Sequence, residues 1–275
     1  MASISVVIPA LNDADFLAVC LAALADQTRP ADEIIVVDNG STDTTAAVAL
    51  AAGATVLTQP LRGIFPATAM GFDGASGDII ARLDADSVPP IDWLERVELA
   101  LTDVDVLANG PAAITGPGIF YGSGPLIRWL GRYLYIGGFF WSMTILLGHP
   151  PVFGSNFAMH REVWQRVRGT VHSNVREVHD DLDLSIHMGA DATVIYDPRL
   201  LVGVSARPFE TLPGISRRIH WAFSTLSERP GGRPAPGTAR GQGAFAITFG
   251  RVIVEETAKP PRDTHGRHLY DRDRA

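Results

Sequence analysis

Two carboxylates separated by a single residue stand at the end of an apolar run, Asp84 and Asp86 in the segment LDADS. Carboxylate oxygens are the ligands that Mg²⁺ and Mn²⁺ prefer, and such an ion keeps coordination positions for water and substrate phosphates. A cation held there would neutralise the charge that develops on a departing diphosphate. A simple turn is the alternative interpretation, because Asp, Ser and the following Pro89-Pro90 are also typical of loops.

A second polar cluster, Asp38-Asn39-Gly40-Ser41, follows another apolar run. Asp38 comes directly after the run and can accept hydrogen bonds from the edge of a nucleobase. Gly40 permits a sharp reversal of the chain. A turn explains part of this motif, but it does not explain why Asp38, Asp84 and Asp86 all stand at the ends of predicted strands.

The elements that must position these side chains form a regular pattern. Short Val- and Ile-rich runs alternate with longer Ala- and Leu-rich runs, as in βαβ units around a mostly parallel sheet. The predicted strands are Ile4–Ile8, Glu33–Val37, Ala54–Leu57 and Asp78–Leu83, and the predicted helices are Ala14–Ala25 and Thr42–Ala52. Ser41 or Thr42 is the expected N-cap of the second helix. Because ligands of open parallel sheets bind at the carboxyl ends of the strands, the polar residues there are expected to converge.

The chain as a whole excludes several classes of protein. A formal net charge of −7 over 275 residues argues against nucleic acid as a partner, since binding a phosphate backbone requires a basic face. The lone cysteine, Cys20, excludes a disulfide framework and is expected to pack in the core. The N-terminus lacks the features of a secretory signal, and the longest apolar stretch, Tyr133–Gly148, is short for a membrane span. We therefore expect a cytoplasmic protein.

Several segments, taken in order, resemble the motifs of family 2 glycosyltransferases of the GT-A fold. They cover about Ser3 to Pro208 and read IPALND, VVDNGSTD, Arg62-Gly63 with GFDGASGDIIARLDADS, GSNFAMHREVW and VHDDLDLSIHMGA. The order and spacing of these segments make the resemblance more specific than any one of them. It implies an α/β fold with a doubly wound, mostly parallel sheet flanked by helices, followed by a C-terminal helical and aromatic extension.

The resemblance also divides the chain. Residues 1–228 are expected to form the GT-A domain, with a nucleotide-binding half at about 1–118 and an acceptor-side half at about 119–228. Residues 229–275 are expected to be a flexible linker rich in Pro, Gly and Arg, a short apolar segment and a polar tail.

The same resemblance assigns roles on the donor side. Asp38 would contact the nucleobase, Arg62 would lie near the base or ribose, and Asp84 would touch the ribose or a metal-bound water. Asp86 would be the direct ligand of a divalent metal, Mn²⁺ or Mg²⁺, with Asp84 as its partner. The implied nucleotide-binding residues are Pro9, Asn12, Asp38, Arg62 and Asp84.

A catalytic base is implied in an acidic pair further along the chain. The matching segment is HDDLDL, in which Asp180 replaces the usual Glu of the family. Asp181 is the expected base and Asp180 the alternative; the base takes the proton of the acceptor hydroxyl as that oxygen attacks the anomeric carbon. An acidic helix start is the other interpretation of these residues, because the helix dipole stabilises carboxylates there. His179 is expected to support the pair or to lie at the surface.

Together these features predict an inverting, metal-dependent transferase that moves a sugar from a UDP- or GDP-linked donor to an acceptor hydroxyl. The alternatives are a nucleotidyltransferase of similar fold, and a non-catalytic protein that binds sugar nucleotides or lipids. PALNDAD lacks the Gly-rich basic loop that a nucleotidyltransferase needs after its first strand.

A segment rich in aromatic residues has two possible interpretations. It either packs in the core or forms an interfacial helix on a membrane, in which case the acceptor would be lipid-linked and the protein peripheral on the inner face of the cell membrane. Its members are Trp129, Tyr133, Tyr135, Phe139, Phe140 and Trp141. Gly154-Ser155-Asn156 is either a turn or part of the acceptor side, and Arg217-Arg218 with His220-Trp221 is read as a solvated surface.

Overall fold

The computed structural model describes residues 1–121, 124, 129, 131, 136–174, 178–189 and 192–207. The strands in this part of the chain are β1 (Ile4–Ala10), β2 (Glu33–Asp38), β3 (Thr55–Thr58), β4 (Ile79–Arg82), β5 (Ala112–Thr115), β6 (Gly118–Tyr121), β7 (Phe157–His160), β8 (Thr193–Tyr196) and β9 (Val202–Ser205). The helices are α1 (Ala14–Ala25), α2 (Thr45–Ala51), α3 (Ile64–Gly74), α4 (Trp93–Leu101), α5 (Val104–Ala108), α6 (Gly137–Leu147), α7 (Arg161–Val167) and α8 (Asp180–Met188).

Seven strands form one sheet in the order β3-β2-β1-β4-β7-β5-β8. Strand β7 runs antiparallel to β4 and β5, and the other pairs in this sheet are parallel. Strands β6 and β9 form a second, parallel pair. The mixed α/β fold with a mostly parallel central sheet confirms the predicted fold class.

The sheet is covered on both faces, which explains the near-continuous apolar sequence of its central strand. Ile4, Val6 and Ile8 of β1 belong to one core cluster, which includes side chains of α1, α2 and α4. Val7, which points to the opposite face, belongs to a second cluster with side chains of α3, α7 and α8. Cys20 lies in the first cluster and is fully buried, as expected.

The direction of β7 determines which residues reach the carboxyl edge of the sheet. Arg82, the last residue of β4, pairs with Phe157, the first residue of β7. The segment Gly154–Asn156, just before β7, therefore lies at the same edge as Asp84 and Asp86, which follow β4.

The predicted elements are found with small changes of boundary, and one of them needs a correction. Helix α2 begins at Thr45, so neither Ser41 nor Thr42 caps it. Both residues instead bond to Asn12: Ser41 Oγ accepts from its backbone N–H at 2.9 Å, and the Thr42 backbone N–H donates to its Oδ1 at 2.7 Å. The carboxylate of Asp43 takes the place near the helix start and accepts from the Thr45 N–H at 2.9 Å.

Part of the aromatic segment forms α6, which has both buried and exposed side chains. Phe140 is buried and its ring lies 4.7 Å from that of Tyr196, whereas Trp141 is 61% exposed and Ile145 67% exposed. Within the described residues, no helix combines the length and hydropathy that crossing a bilayer would require. Several predicted features fall outside the described residues: Arg217-Arg218, His220-Trp221, the tail 229–275, and Tyr133 and Tyr135 of the aromatic segment.

Candidate functional site

The loops that follow β1 and β2 are joined by Asn12. Its backbone has a positive φ of 54°, a conformation that Asn adopts more readily than most residues. In this conformation the Asn12 N–H and side-chain oxygen both reach the next loop, where they bond to Ser41 and Thr42. Asn12 therefore joins the two loops at the carboxyl ends of β1 and β2, next to the buried residue Pro9.

Asp38 ends β2 beside Ala10 of β1 and is 8% exposed. One of its carboxylate oxygens accepts from the Ser41 backbone N–H at 2.9 Å. The neighbouring Asn39 holds the loop that carries Arg62, because its side chain donates to Leu61 O at 2.8 Å and accepts from Gly63 N–H at 2.8 Å.

Arg62 lies over the turn at Gly40. A Cβ atom added to Gly40 would lie 3.7 Å from Arg62 Nε, and Gly40 also needs its positive φ of 81°. Arg62 is exposed. The structure thus brings Asn12, Asp38 and Arg62 to one edge of the sheet.

Asp84 is held between two groups. One carboxylate oxygen lies 2.9 Å from Arg82 Nη2, and the other accepts from Ser155 Oγ at 2.5 Å. Its backbone N–H donates to Ser87 Oγ at 3.2 Å. These contacts fix the carboxylate at the end of β4.

Asp86 faces the exterior of the same edge and shares a cation with Asp13. Arg207 Nη2 lies 3.0 Å from Asp86 Oδ2 and 3.0 Å from Asp13 Oδ1, and its guanidinium stacks on Phe16 at 3.8 Å. Burial, and then the charge of Asp84, raise the pKa of Asp86 to about 6, although Arg207 opposes this shift. The edge therefore carries more negative charge than its own residues neutralise.

This oxygen-rich corner suits a hard divalent cation. Asp13 and Asp86 each accept a hydrogen bond from the guanidinium of Arg207. This guanidinium occupies the place of a cation between the two carboxylates. A raised pKa at Asp86 is also what an acidic cluster shows when no metal offsets its charge.

The acidic pair begins α8, which confirms the helix-start interpretation of its position. Arg82 Nη2 lies 3.0 Å from Asp180 Oδ2, and the Gly154 backbone N–H donates to Asp181 Oδ2 at 3.0 Å. His179 Nδ1 contacts the other oxygen of Asp181, which agrees with its expected supporting role. Both carboxylates are buried.

The two carboxylates differ in their pKa values. Burial raises the pKa of Asp180; Arg82 opposes this shift and Asp181 adds to it. Burial would also raise the pKa of Asp181, but His179 and the Gly154 N–H outweigh burial and lower it to about 2. Asp181 is therefore ionised at any physiological pH.

Arg82 joins the two acidic groups. Its side chain is 1% exposed and contacts Asp84 and Asp180 with the same nitrogen. Gly154 allows this position, because a Cβ atom there would lie 2.0 Å from Arg82 Nη1. The aspartates that follow β4 and those that begin α8 thus surround one buried guanidinium.

The turn Gly154–Asn156 supports both sides of the site. Gly154 contacts Asp181 and Ser155 contacts Asp84, as described above. Asn156 is fully buried and has a structural role: its oxygen accepts from Trp93 Nε1 at 2.9 Å and its nitrogen donates to Leu200 O at 2.6 Å.

Sequence reasoning did not assign Arg82, Asp13 or Arg207 to the site, and it left Ser155 open between a turn and the acceptor side. Arg82 carried a usable signal, because a charged residue in the otherwise apolar run IIARL has to be paired when it is buried. Arg207 lies far from Asp13 and Asp86 in sequence, and no local pattern marks it.

The chain is similar to known glycosyltransferases in sequence and in fold. The family model of glycosyl transferase family 2 matches residues 5–168. Glycosyltransferase AglE of Haloferax volcanii is 34% identical over 123 residues, covering 42% of this chain and 40% of the relative. An undecaprenyl-phosphate 4-deoxy-4-formamido-L-arabinose transferase of Sodalis glossinidius is 36% identical over 117 residues, covering 38% of this chain and 36% of the relative.

Among solved structures, the chain is similar to glucosyl-3-phosphoglycerate synthase from Mycobacterium tuberculosis in complex with Mn²⁺, UDP and glucosyl-3-phosphoglycerate. The TM-score is 0.55 at 21% identity, and the similarity covers 82% of this chain and 78% of that one. At this identity the likeness establishes the fold. The matches to the two curated relatives above span 40% or less of their lengths.

Replacement of Arg82 by Met, which keeps most of the volume and removes the charge, should lower the free energy of unfolding at pH 7 by about 3–5 kcal/mol. The physical reason is that Asp84 and Asp180 would remain in place without their shared cation. The measurement is urea denaturation followed by circular dichroism.

Arg96→Met is the matched control, since Arg96 forms an i,i+4 pair with Asp92 in which each side chain is 36% exposed. Its loss should cost about 0.5 kcal/mol or less. Equal losses in the two variants would show that Arg82 does not hold the site together.

Asp86 should make the metal-free protein less stable as pH rises from about 4 to about 6. Its pKa is about 6 in the folded state and near its ordinary value when unfolded, so the folded state binds the proton more tightly in this window. The stabilising effect is complete below pH 4 and lost above pH 6. Denaturation in EDTA across this range should show a fall of roughly 1–3 kcal/mol in wild type relative to Asp86→Asn. Parallel curves for the two proteins would contradict this.

Proposed function

This chain belongs to glycosyl transferase family 2, and on that premise we propose that it transfers a sugar from a nucleoside-diphosphate donor to an acceptor hydroxyl, with inversion at the anomeric carbon. The observation that carries the proposal is the buried Arg82, which contacts Asp84 on the donor side and Asp180 of the acidic pair. A transferase of this kind needs a site for the diphosphate and a base for the acceptor within one cavity, and these contacts support such a pairing.

The donor nucleotide would bind over the carboxyl ends of β1 and β2. In this proposal Asp38 accepts hydrogen bonds from the base, and Pro9 and Asn12 shape the walls of its pocket. Arg62, held over Gly40, would contact the base or ribose, and Asp84 would contact the ribose. The neighbouring solved structure contains UDP, which favours UDP-sugars over GDP-sugars as the first donors to test.

The diphosphate would lie against Asp86, with a divalent cation, Mn²⁺ or Mg²⁺, bound by Asp86 directly and by Asp84 through water. When bound, such a cation neutralises charge on the departing nucleoside diphosphate. Arg207 would leave its contacts with Asp13 and Asp86 and contribute a second positive charge next to the phosphates.

Asp181 is the proposed base, and Asp180 the alternative. Asp181 is permanently ionised, and the Gly154 N–H and His179 hold its carboxylate in one orientation. The acceptor oxygen would give its proton to Asp181 as it attacks the anomeric carbon from the face opposite the diphosphate, so one displacement inverts the configuration. Asp180 has the raised pKa that favours proton transfer near neutrality, but it shares Arg82 with Asp84.

A lipid-linked acceptor would fit the exposed face of α6. Trp141 and Ile145 stand four residues apart, on one side of the helix, and both are largely exposed. One relative carries undecaprenyl-phosphate in its name. We therefore include in the proposal a polyprenyl or glycolipid acceptor and a peripheral location on the inner face of the cell membrane.

The donor is tested by thermal denaturation with UDP-, GDP- and TDP-sugars, each with and without Mn²⁺. A donor present at 100 times its dissociation constant should stabilise the protein by about 2.7 kcal/mol, and the effect should require the metal. Asp38→Ala should abolish the shift, whereas Asp15→Ala on exposed α1 should keep it. Identical shifts in the two variants would contradict the assignment of Asp38.

The base is tested by Asp181→Asn and Asp180→Asn, with donor binding and turnover measured separately. Asp181→Asn should bind the donor normally and lose roughly 10²–10⁴-fold in turnover, the usual contribution of a general base. If Asp181→Asn keeps its turnover and Asp180→Asn loses it, the base is Asp180. Full turnover in both variants would contradict transfer by this site. The anomeric configuration of the product, read by NMR, tests inversion.

Membrane association is tested by sedimentation with vesicles of phosphatidylcholine and phosphatidylglycerol. Trp141→Ser with Ile145→Ser should reduce the bound fraction at least about tenfold, because each side chain contributes roughly 1.5–3 kcal/mol when buried. The matched control is Leu50→Ser with Leu99→Ser, two residues exposed on α2 and α4. Equal binding by the two double variants would show that α6 does not meet the bilayer.

A further inference from the structure

A second cluster of potential metal ligands lies one helical turn beyond the acidic pair. Asp183 and His187 stand four residues apart on α8, and His172 comes from the loop after α7. His172 Nδ1 lies 2.8 Å from Asp183 Oδ1, and His187 Nδ1 lies 3.6 Å from Asp183 Oδ2. The two imidazole rings are 5.5 Å apart. Neither the donor site nor the proposed base uses these residues.

The spacing of the three side chains is close to that of a metal centre. One potential ligand atom from each residue lies within 4.8 Å of the others. Ligands about 2.0–2.2 Å from a tetrahedral Zn²⁺ are about 3.3–3.6 Å from each other. The separations of the three ligand atoms are therefore at most about 1.5 Å wider than one tetrahedral ion requires.

The burial of the cluster suits an ion held at the edge of the protein. The side chain of Asp183 is 4% exposed and that of His187 is 13% exposed, whereas that of His172 is 32% exposed. Two neighbouring ligands would thus be held rigidly, and solvent could reach the fourth position beside His172. Two imidazoles and one carboxylate favour Zn²⁺, Co²⁺ or Ni²⁺ over Mg²⁺.

A hydrogen-bonded loop anchor explains only part of the cluster. Asp183 accepts from the His172 backbone N–H at 2.9 Å as well as contacting its ring, and these contacts fix the loop. They do not require a second imidazole beside the same carboxylate. His187 also has a contact of its own, from Nδ1 to the Asp183 carbonyl at 2.8 Å, which leaves Nε2 as its ligand atom.

We propose that His172, Asp183 and His187 bind a first-row transition-metal ion, Zn²⁺ in the first place, at a site separate from the oxygen-lined corner at Asp86. The ion would join the loop after α7 to α8. Since α8 begins with Asp180 and Asp181, it would also hold the helix that carries the proposed base. The proposal does not depend on the transferred sugar or on the acceptor.

The test is titration of the full-length, untagged and EDTA-treated protein with Zn²⁺ against a chromophoric chelator. Wild type should bind one ion that His172→Asn and His187→Asn bind at least about tenfold more weakly. Loss of a residue that only hydrogen-bonds to a ligand already costs about 10–100-fold in affinity, so loss of a ligand should cost no less. Asp86→Asn should keep the Zn²⁺ site and lose stabilisation by Mn²⁺.

His187→Cys provides a rescue, because a thiolate can replace imidazole as a Zn²⁺ ligand. It should recover most of the affinity that His187→Asn loses, a result that a purely structural role of His187 would not give. Melting curves in EDTA check that each variant is folded. If changes at His187 unfold the protein, His172→Asn tests the proposal instead, because His172 is more exposed. Unchanged Zn²⁺ affinity in both Asn variants, or loss of that affinity in Asp86→Asn alone, would overturn the proposal.

Discussion

The described structure depends on one buried cation. Arg82 stands at the end of a central strand with its side chain fully removed from water, a position that costs several kcal/mol unless opposite charges lie close to it. Asp84 and Asp180 supply those charges, and burial, which would lower the pKa of Arg82, is outweighed by them. The loop after β4 and the start of α8 cannot move apart without leaving charges unpaired. Gly154 completes this constraint, because any larger residue would occupy the space that Arg82 Nη1 fills.

At its outer end, the same region has more negative than positive charge. Arg82 contacts Asp84 and Asp180 on the inner side, whereas among the described residues Asp13 and Asp86 share Arg207, whose side chain is 41% exposed. The result is a corner in which the pKa of Asp86 is raised by burial and by its neighbour Asp84. An arrangement that is rigid on the inside and short of positive charge on the outside is suited to a ligand that brings its own cation, as a metal-bound diphosphate does.

Much of the first half of the chain could be predicted from sequence, whereas much of the second half could not, and the difference has physical reasons. Strand β1 and helix α1 have long, uninterrupted patterns, and α1 was located to its end residues. Strands β5 to β9 have four residues each and, unlike the equally short β3 and β4, lie outside the regular alternation of strands and helices. The antiparallel direction of β7 has no local signature in the sequence. The acidic pair was predicted from a family resemblance. The local sequence alone does not distinguish a catalytic pair from the acidic residues that begin many helices. Arg82 was missed although its place in an apolar run indicates that it must be paired, because one of its two partners, Asp180, comes from a distant part of the chain.

Asp180 and Asp181 are neighbours in the first turn of α8, but their surroundings shift their pKa values in opposite directions. Asp181 receives a backbone N–H from Gly154 and a contact from His179, and these outweigh burial, so its charge is fixed. Burial raises the pKa of Asp180 and outweighs the opposing charges of Arg82 and His179, so its proton is held more tightly. Pairs of carboxylates whose pKa values are pushed apart in this way generally divide the roles of an active site between them. This difference supports the proposal that Asp181 meets the acceptor, whereas the pKa of Asp180 depends on the charges around Arg82, including that of Asp84.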